Sequence, residues 1–137
     1  MSSTNNTSTI NDSTLNDYAK CGAFIDNAPN HISVKMITKR CNVSLKIAKR
    51  VLRNHPNTRL CPPHEYGSNK SVNYKLYKKI TSEEMIEICN SELKGLLKNN
   101  IVKETNIKSF IRSGFAYHMH TKYAVVVDNS IISKLSY

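Results

Sequence analysis

The stretch Ile37-Thr38-Lys39-Arg40-Cys41-Asn42-Val43-Ser44-Leu45-Lys46-Ile47-Ala48-Lys49-Arg50-Val51-Leu52 decides how the chain is read. Just before it, Ser33 suits an N-cap, and Val34, Ile37 and Cys41 then share one face of a short helix. Asn42 tolerates the left-handed backbone that closes a helix. Val43 is apolar and plugs the turn, and Ser44 is a strong N-cap for a second helix. Pro56 disfavours helical backbone at His55, so the second helix stops near Asn54.

That second helix is two-faced. Ile47, Ala48, Val51 and Leu52 make its apolar side. Lys46, Lys49, Arg50 and Arg53 stand at i, i+3, i+4 and i+7, which predicts four cations on one exposed stripe. Like charges at these spacings cost about 0.2–0.5 kcal/mol each in an isolated helix. A polyanion meeting the stripe would explain the arrangement. Downstream, residues 58–61 read as a short strand. Pro62, Pro63, His64, Glu65, Tyr66, Gly67, Ser68, Asn69 and Lys70 read as a long hairpin tip. Residues 71–79 alternate, with Val72, Tyr74 and Leu76 against Asn73, Lys75 and Tyr77, which predicts a strand. Upstream, Leu15, Tyr18, Ala19, Gly22 and Ala23 predict a helix over residues 14–27, ended by Pro29 and Asn30. Residues 1–13 are mostly Ser, Thr and Asn and are expected to form a disordered polar tail.

The order of helix, short helix, tight turn, basic helix, strand, loop and strand resembles the winged helix-turn-helix DNA-binding family over residues 14–79. In that family the turn usually carries Gly, an apolar residue and a small polar N-cap; Asn42, Val43 and Ser44 occupy those places here. Ala48 and Val51 match the buried positions of the second helix, and Thr38 stands where Ala is common. The resemblance implies an α+β winged helix-turn-helix that sets its second helix in the major groove of double-stranded DNA. Lys46, Lys49 and Arg50 would then lie nearest the bases and Arg53 nearer the backbone. Arg59, Lys70, Lys75, Lys78 and Lys79 would lie on the wing and its strands. Tyr66, at the wing tip, would meet a sugar or base, or fold onto its own hairpin. RNA stays open beside DNA.

Charge points the same way. The 137 residues carry 20 Lys and Arg against 10 Asp and Glu, a net charge of +10. Residues 1–30 carry −2, residues 31–80 carry +11 and residues 81–137 carry +1. A block of one sign is the footprint of phosphate contact. No apolar run approaches the roughly 18 residues of a membrane span. The first ten residues lack a basic start and an apolar centre, so an intracellular protein without membrane attachment is expected. Cys21, Cys41, Cys61 and Cys89 form no CxxC pair and are expected to be small buried hydrophobes, not disulfides. Lys outnumbers Arg 15 to 5, which suits an AT-rich genome such as that of some large DNA viruses.

Residues 80–137 are expected to form a helix-plus-strand extension. Thr81 and Glu84 make a capping box, and Met85, Ile86, Ile88, Cys89, Leu93, Leu96 and Leu97 predict a helix to about Asn99. Residues 107–111 are open between helix and strand. Residues 115–127 carry strand formers, and Ile131, Ile132 and Leu135 suggest a last short helix or strand. A homodimer or a protein partner would use residues 81–137. Cys61 with His64, and His118 with His120, are spaced like metal ligands, but nothing in the sequence joins the two pairs. There is no Gly-rich phosphate loop, and acids are too scattered for a two-metal nuclease. No catalytic residue, metal or cofactor is therefore expected. The expected function is DNA binding in transcription or genome packaging. The alternative is a winged-helix protein-interaction module, with acidic protein partners, in a polymerase or virion assembly.

Overall fold

A computed structural model describes residues 12–28, 31–62 and 75–137. Its elements, in chain order, are α1 (Asp12–Asn27), β1 (His31–Ser33), α2 (Val34–Cys41), α3 (Leu45–Asn54), β2 (Thr58–Leu60), β3 (Leu76–Lys79), α4 (Ser82–Lys98), α5 (Ile107–Ser113), α6 (Phe115–Tyr123) and α7 (Asn129–Ile132). The protein is α+β. Its three strands form one small antiparallel sheet in the order β1–β3–β2, a layout compatible with a winged helix. The Cys61 N–H donates to the Leu76 carbonyl and the Ile80 N–H to the Asn57 carbonyl, both at 2.8 Å, which fixes the antiparallel register of β2 on β3.

The chain folds as two compact units. The first is Met1–Leu52 with Cys61–Tyr77, and the second is Arg53–Leu60 with Lys78–Tyr137. The sequence reading set off a tail at residues 1–13 and divided the rest between residues 79 and 80. The two compact units meet after Leu52 inside α3, after Leu60, and after Tyr77 inside β3. The expected tail also differs: Asp12 and Ser13 already belong to α1. Residues 1–11, Pro29, Asn30 and 63–74 lie outside the described residues, and with them the expected hairpin tip from Pro63 on and the first four residues of the strand expected over 71–79.

In the first unit, α1 buries Cys21 and Ile25, β1 buries Ile32, α2 buries Val34, Ile37 and Cys41, and α3 buries Ala48 and Leu52. The caps fall where the sequence places them. The Met36 N–H donates to Ser33 Oγ at 3.2 Å, and the Ile47 N–H donates to Ser44 Oγ at 3.2 Å. Asn42 closes α2 in the left-handed region at φ 54°, ψ 53°. These three residues set the angle between α2 and α3 locally, before any long-range packing. All four cysteines are buried free thiols. Burial, with Cys41 adding, pushes the Cys21 thiol up to about 12, and burial pushes Cys89 up to about 11. Neither thiolate forms readily at neutral pH, which suits packing and not chemistry.

The second unit is built on α4. Its capping box is complete: the Glu84 N–H donates to Thr81 Oγ1 at 3.1 Å, and the Thr81 N–H donates to Glu84 Oε1 at 2.9 Å. Met85, Cys89 and Leu93 of α4 meet Ile107 and Ile111 of α5, Phe115 and Met119 of α6, Val125, Val127 and Ile131 in one core. Here the structure corrects the sequence. Residues 115–123 form a helix, not a strand, and no strand follows residue 80 among the described residues. Ile107, Ile111, Phe115 and Met119 continue one i, i+4 stripe into that core, and this packing outweighs the strand preference of the aromatic side chains. Gly114 joins the two helices. A Cβ at this position would stand 3.3 Å from the Phe110 ring, so a small residue suits the junction.

Candidate nucleic-acid interface

Ser44, Ala48 and Leu52 orient α3. With Ala48 and Leu52 fully buried, the helix can rotate little without opening the core. That rotation leaves Lys46 and Arg50 exposed and Lys49 half-exposed, all in the first unit. No acid stands between Asp26 and Glu65 in the sequence. The Tyr18 hydroxyl of α1 accepts a hydrogen bond from Arg50 Nη1 at 3.1 Å, which steadies the guanidinium at the surface.

Arg53 departs from the expected stripe. It sits in the last turn of α3, which belongs to the second unit. Its Nη2 donates to the His120 carbonyl at 3.2 Å, and His120 Nε2 returns a hydrogen bond to the Arg53 carbonyl at 3.1 Å. Helical spacing put four cations in one row; the structure leaves three there and turns the half-buried fourth toward α6. Arg59 is turned inward as well. Its Nε donates to the Leu60 carbonyl at 3.0 Å, and its Cζ stands 5.4 Å from the centre of the Tyr123 ring, a cation–π distance.

The wing cations divide. Tyr66 and Lys70 lie outside the described residues. Lys75 is half-buried in the first unit; Lys78 is half-buried and Lys79 exposed in the second. Lys78 and Arg59 add to the pull on the exposed Glu84 carboxyl. The Thr81 backbone N–H, and then the Thr81 hydroxyl, already hold that carboxyl below its ordinary value.

One polar cluster was not foreseen. Glu92 of α4 is only 8% exposed and takes donors from three α6 side chains. His118 Nε2 lies 2.6 Å from Oε2, Lys122 Nζ lies 2.9 Å from Oε2 and 3.1 Å from Oε1, and the Tyr123 hydroxyl donates to Oε1 at 2.6 Å. Its signal in the sequence was a carboxylate three residues after Cys89 and seven after Met85, inside an apolar stripe. Burial pushes the Glu92 carboxyl up, but the Tyr123, His118 and Lys122 donors outweigh it and hold the carboxyl below its ordinary value. His118 and His120, spaced like metal ligands in the sequence, both lie on α6 and serve different partners, Glu92 and the Arg53 carbonyl. No group of three or more His, Cys, Asp or Glu among the described residues could hold a metal ion. Among the same residues, no helix is long and apolar enough to cross a membrane.

No family model, curated protein or solved structure matches the chain.

Proposed function

We propose that the chain is a DNA-binding protein of the winged-helix kind, with α2 and α3 as its helix-turn-helix and β2–β3 as its wing. One observation carries this reading: α3 presents Lys46, Lys49 and Arg50 to solvent on a helix whose opposite face is locked into a core. The element order α1, β1, α2, α3, β2, β3, with β3 between β1 and β2, supports the same layout.

Binding on this reading is electrostatic docking followed by helix insertion, with no covalent chemistry. Cations near the start of α3 reach base edges, and each phosphate they neutralise releases counterions. Arg50 can offer guanine two parallel N–H donors. Arg53, held by His120, keeps the end of the helix in place. Transcription control and genome packaging are the settings that suit such a protein. The competing reading uses the same layout to hold an acidic protein segment.

A labelled DNA duplex titrated at several salt concentrations separates the two. Each neutralised phosphate contributes about −0.9 to the slope of log K against log salt. A slope of about −3 or steeper is expected from α3 alone. A slope near zero, or no binding at low salt, would remove the DNA reading. Competition with a matched RNA duplex decides between the two nucleic acids.

A further inference from the structure

One side of α4 is closed and the other is open. Met85, Cys89, Glu92, Leu93 and Leu96 are buried. Helical spacing gathers Glu83, Glu87, Asn90, Ser91, Lys94 and Lys98 on the opposite side, and its four charged residues are all exposed. None of those four enters a hydrogen bond or an ion pair among the described residues. The face is also shaped. Glu83, Ile86, Glu87 and Lys94 line an open groove of about 450 Å³, to which half-buried Ile86 gives an apolar lining. Ser136, from the segment after α7, lines it too. Its N–H donates to Asn90 Oδ1 at 2.8 Å, and Asn90 Nδ2 donates to Ser136 Oγ at 3.4 Å.

The order of the charges points to the occupant. Acids hold the first half of the face and lysines the second. The helix dipole acts on the first and last turns, so it accounts for Glu83 and Lys98 but not for Glu87 and Lys94. Glu83 and Glu87 stand four residues apart and repel, as do Lys94 and Lys98. A second α4 laid antiparallel on this face relieves both repulsions in a single register. Glu83 then faces Lys98, Glu87 faces Lys94, and Asn90 faces Ser91. Each pairing occurs twice about a two-fold axis, the self-complementary arrangement of a closed dimer. A peptide of one charge would suit one half of the face and be repelled by the other.

We infer that the exposed face of α4 is a homodimer interface, on which two copies pack antiparallel with Glu83 opposite Lys98 and Glu87 opposite Lys94. This goes beyond the DNA reading and uses no residue of α3. Exposed ion pairs add little affinity, so their part is to choose the partner and the register. The dimer is therefore weak and salt-sensitive. Sedimentation equilibrium of the full chain, at low salt and without nucleic acid, is expected to give a dimer dissociation constant of about 10–100 μM. Glu87→Lys and Lys94→Glu each set like charges face to face twice, so each alone is expected to dimerise at least about tenfold more weakly. Mixed in equal amounts, the two variants restore both opposite-charge pairs and are expected to form a heterodimer within about threefold of the parent affinity. The same exchange at Glu83 and Lys98 supplies a second, independent mixture. All four positions are in solvent, so below the dimerising concentration each variant should unfold at the parent's urea concentration. A parent that stays monomeric at about 0.5 mM, variants that dimerise like the parent, or mixtures that stay monomeric would each overturn the inference. A dimer that binds no duplex would leave this inference standing and remove the α3 reading.

Discussion

Replacing Lys46, Lys49 and Arg50 together by alanine will weaken duplex binding about a hundredfold or more at low salt and flatten the salt slope by about 3 units. Each side chain supplies on the order of 1 kcal/mol at a phosphate, and more at a base, and a tenfold change in affinity is about 1.4 kcal/mol. The fold should survive, because none of the three contributes to the buried core of the first unit. Removing like charges three and four residues apart relieves a small repulsion, and the bond that Arg50 gives up to Tyr18 is an exposed one. Arg53→Ala should behave in the opposite way. It removes a charge-assisted hydrogen bond to the His120 carbonyl, costing about 1.5–3 kcal/mol of stability, and leaves the salt slope nearly unchanged. Anisotropy titrations and urea unfolding of the two variants separate a binding stripe from a structural anchor. Parent-like affinity in the triple variant would mean that α3 is not the interface.

The second large effect is on stability. Glu92→Ala will lower the unfolding free energy by about 2–4 kcal/mol, because it leaves the Tyr123 hydroxyl, His118 and Lys122 without their shared acceptor. Lys122 is half in solvent and recovers water, which keeps the figure below that for a fully buried pair. The pH dependence has a defined sign. The Glu92 carboxyl is held below its ordinary 4.5, so its contribution is present above about that pH and is lost as pH falls through the folded value. Lys122 is raised, chiefly by its hydrogen bond to Glu92. Tyr123 is raised, first by burial and then by Glu92. The stabilisation these two supply is present below about pH 10 and is lost as pH rises through their folded values. Urea unfolding of the parent should therefore show a stability plateau between the two limits, and Glu92→Gln should blunt the acid edge. A Glu92→Ala stability within about 0.5 kcal/mol of the parent would show that the cluster carries no such weight.

Local signals were the legible part of this chain. Ser33, Asn42, Ser44 and the Thr81–Glu84 pair act through their own backbone neighbourhood, so their roles can be read without knowing the fold. The α3 faces follow from a clear period: Ala48 and Leu52 are buried as it implies, whereas Ile47 and Val51, expected on the same side, are only half-buried. Long-range effects were not legible. β1 is three residues long, shorter than any alternation can reveal. α6 has the composition of a strand and becomes helical because Phe115 and Met119 complete a stripe begun on α5. Arg53 has the spacing of a surface cation and is turned away by a carbonyl 67 residues later, which no helical wheel contains. Glu92 needed partners from a helix that the sequence did not announce.

Amide chemical-shift mapping by NMR, with duplex DNA added to the full chain, tests the central claim most directly. The account expects the largest shifts at residues 45–52 of α3, with Lys46, Lys49 and Arg50 among them. Saturable duplex binding that leaves those amides unmoved would contradict it.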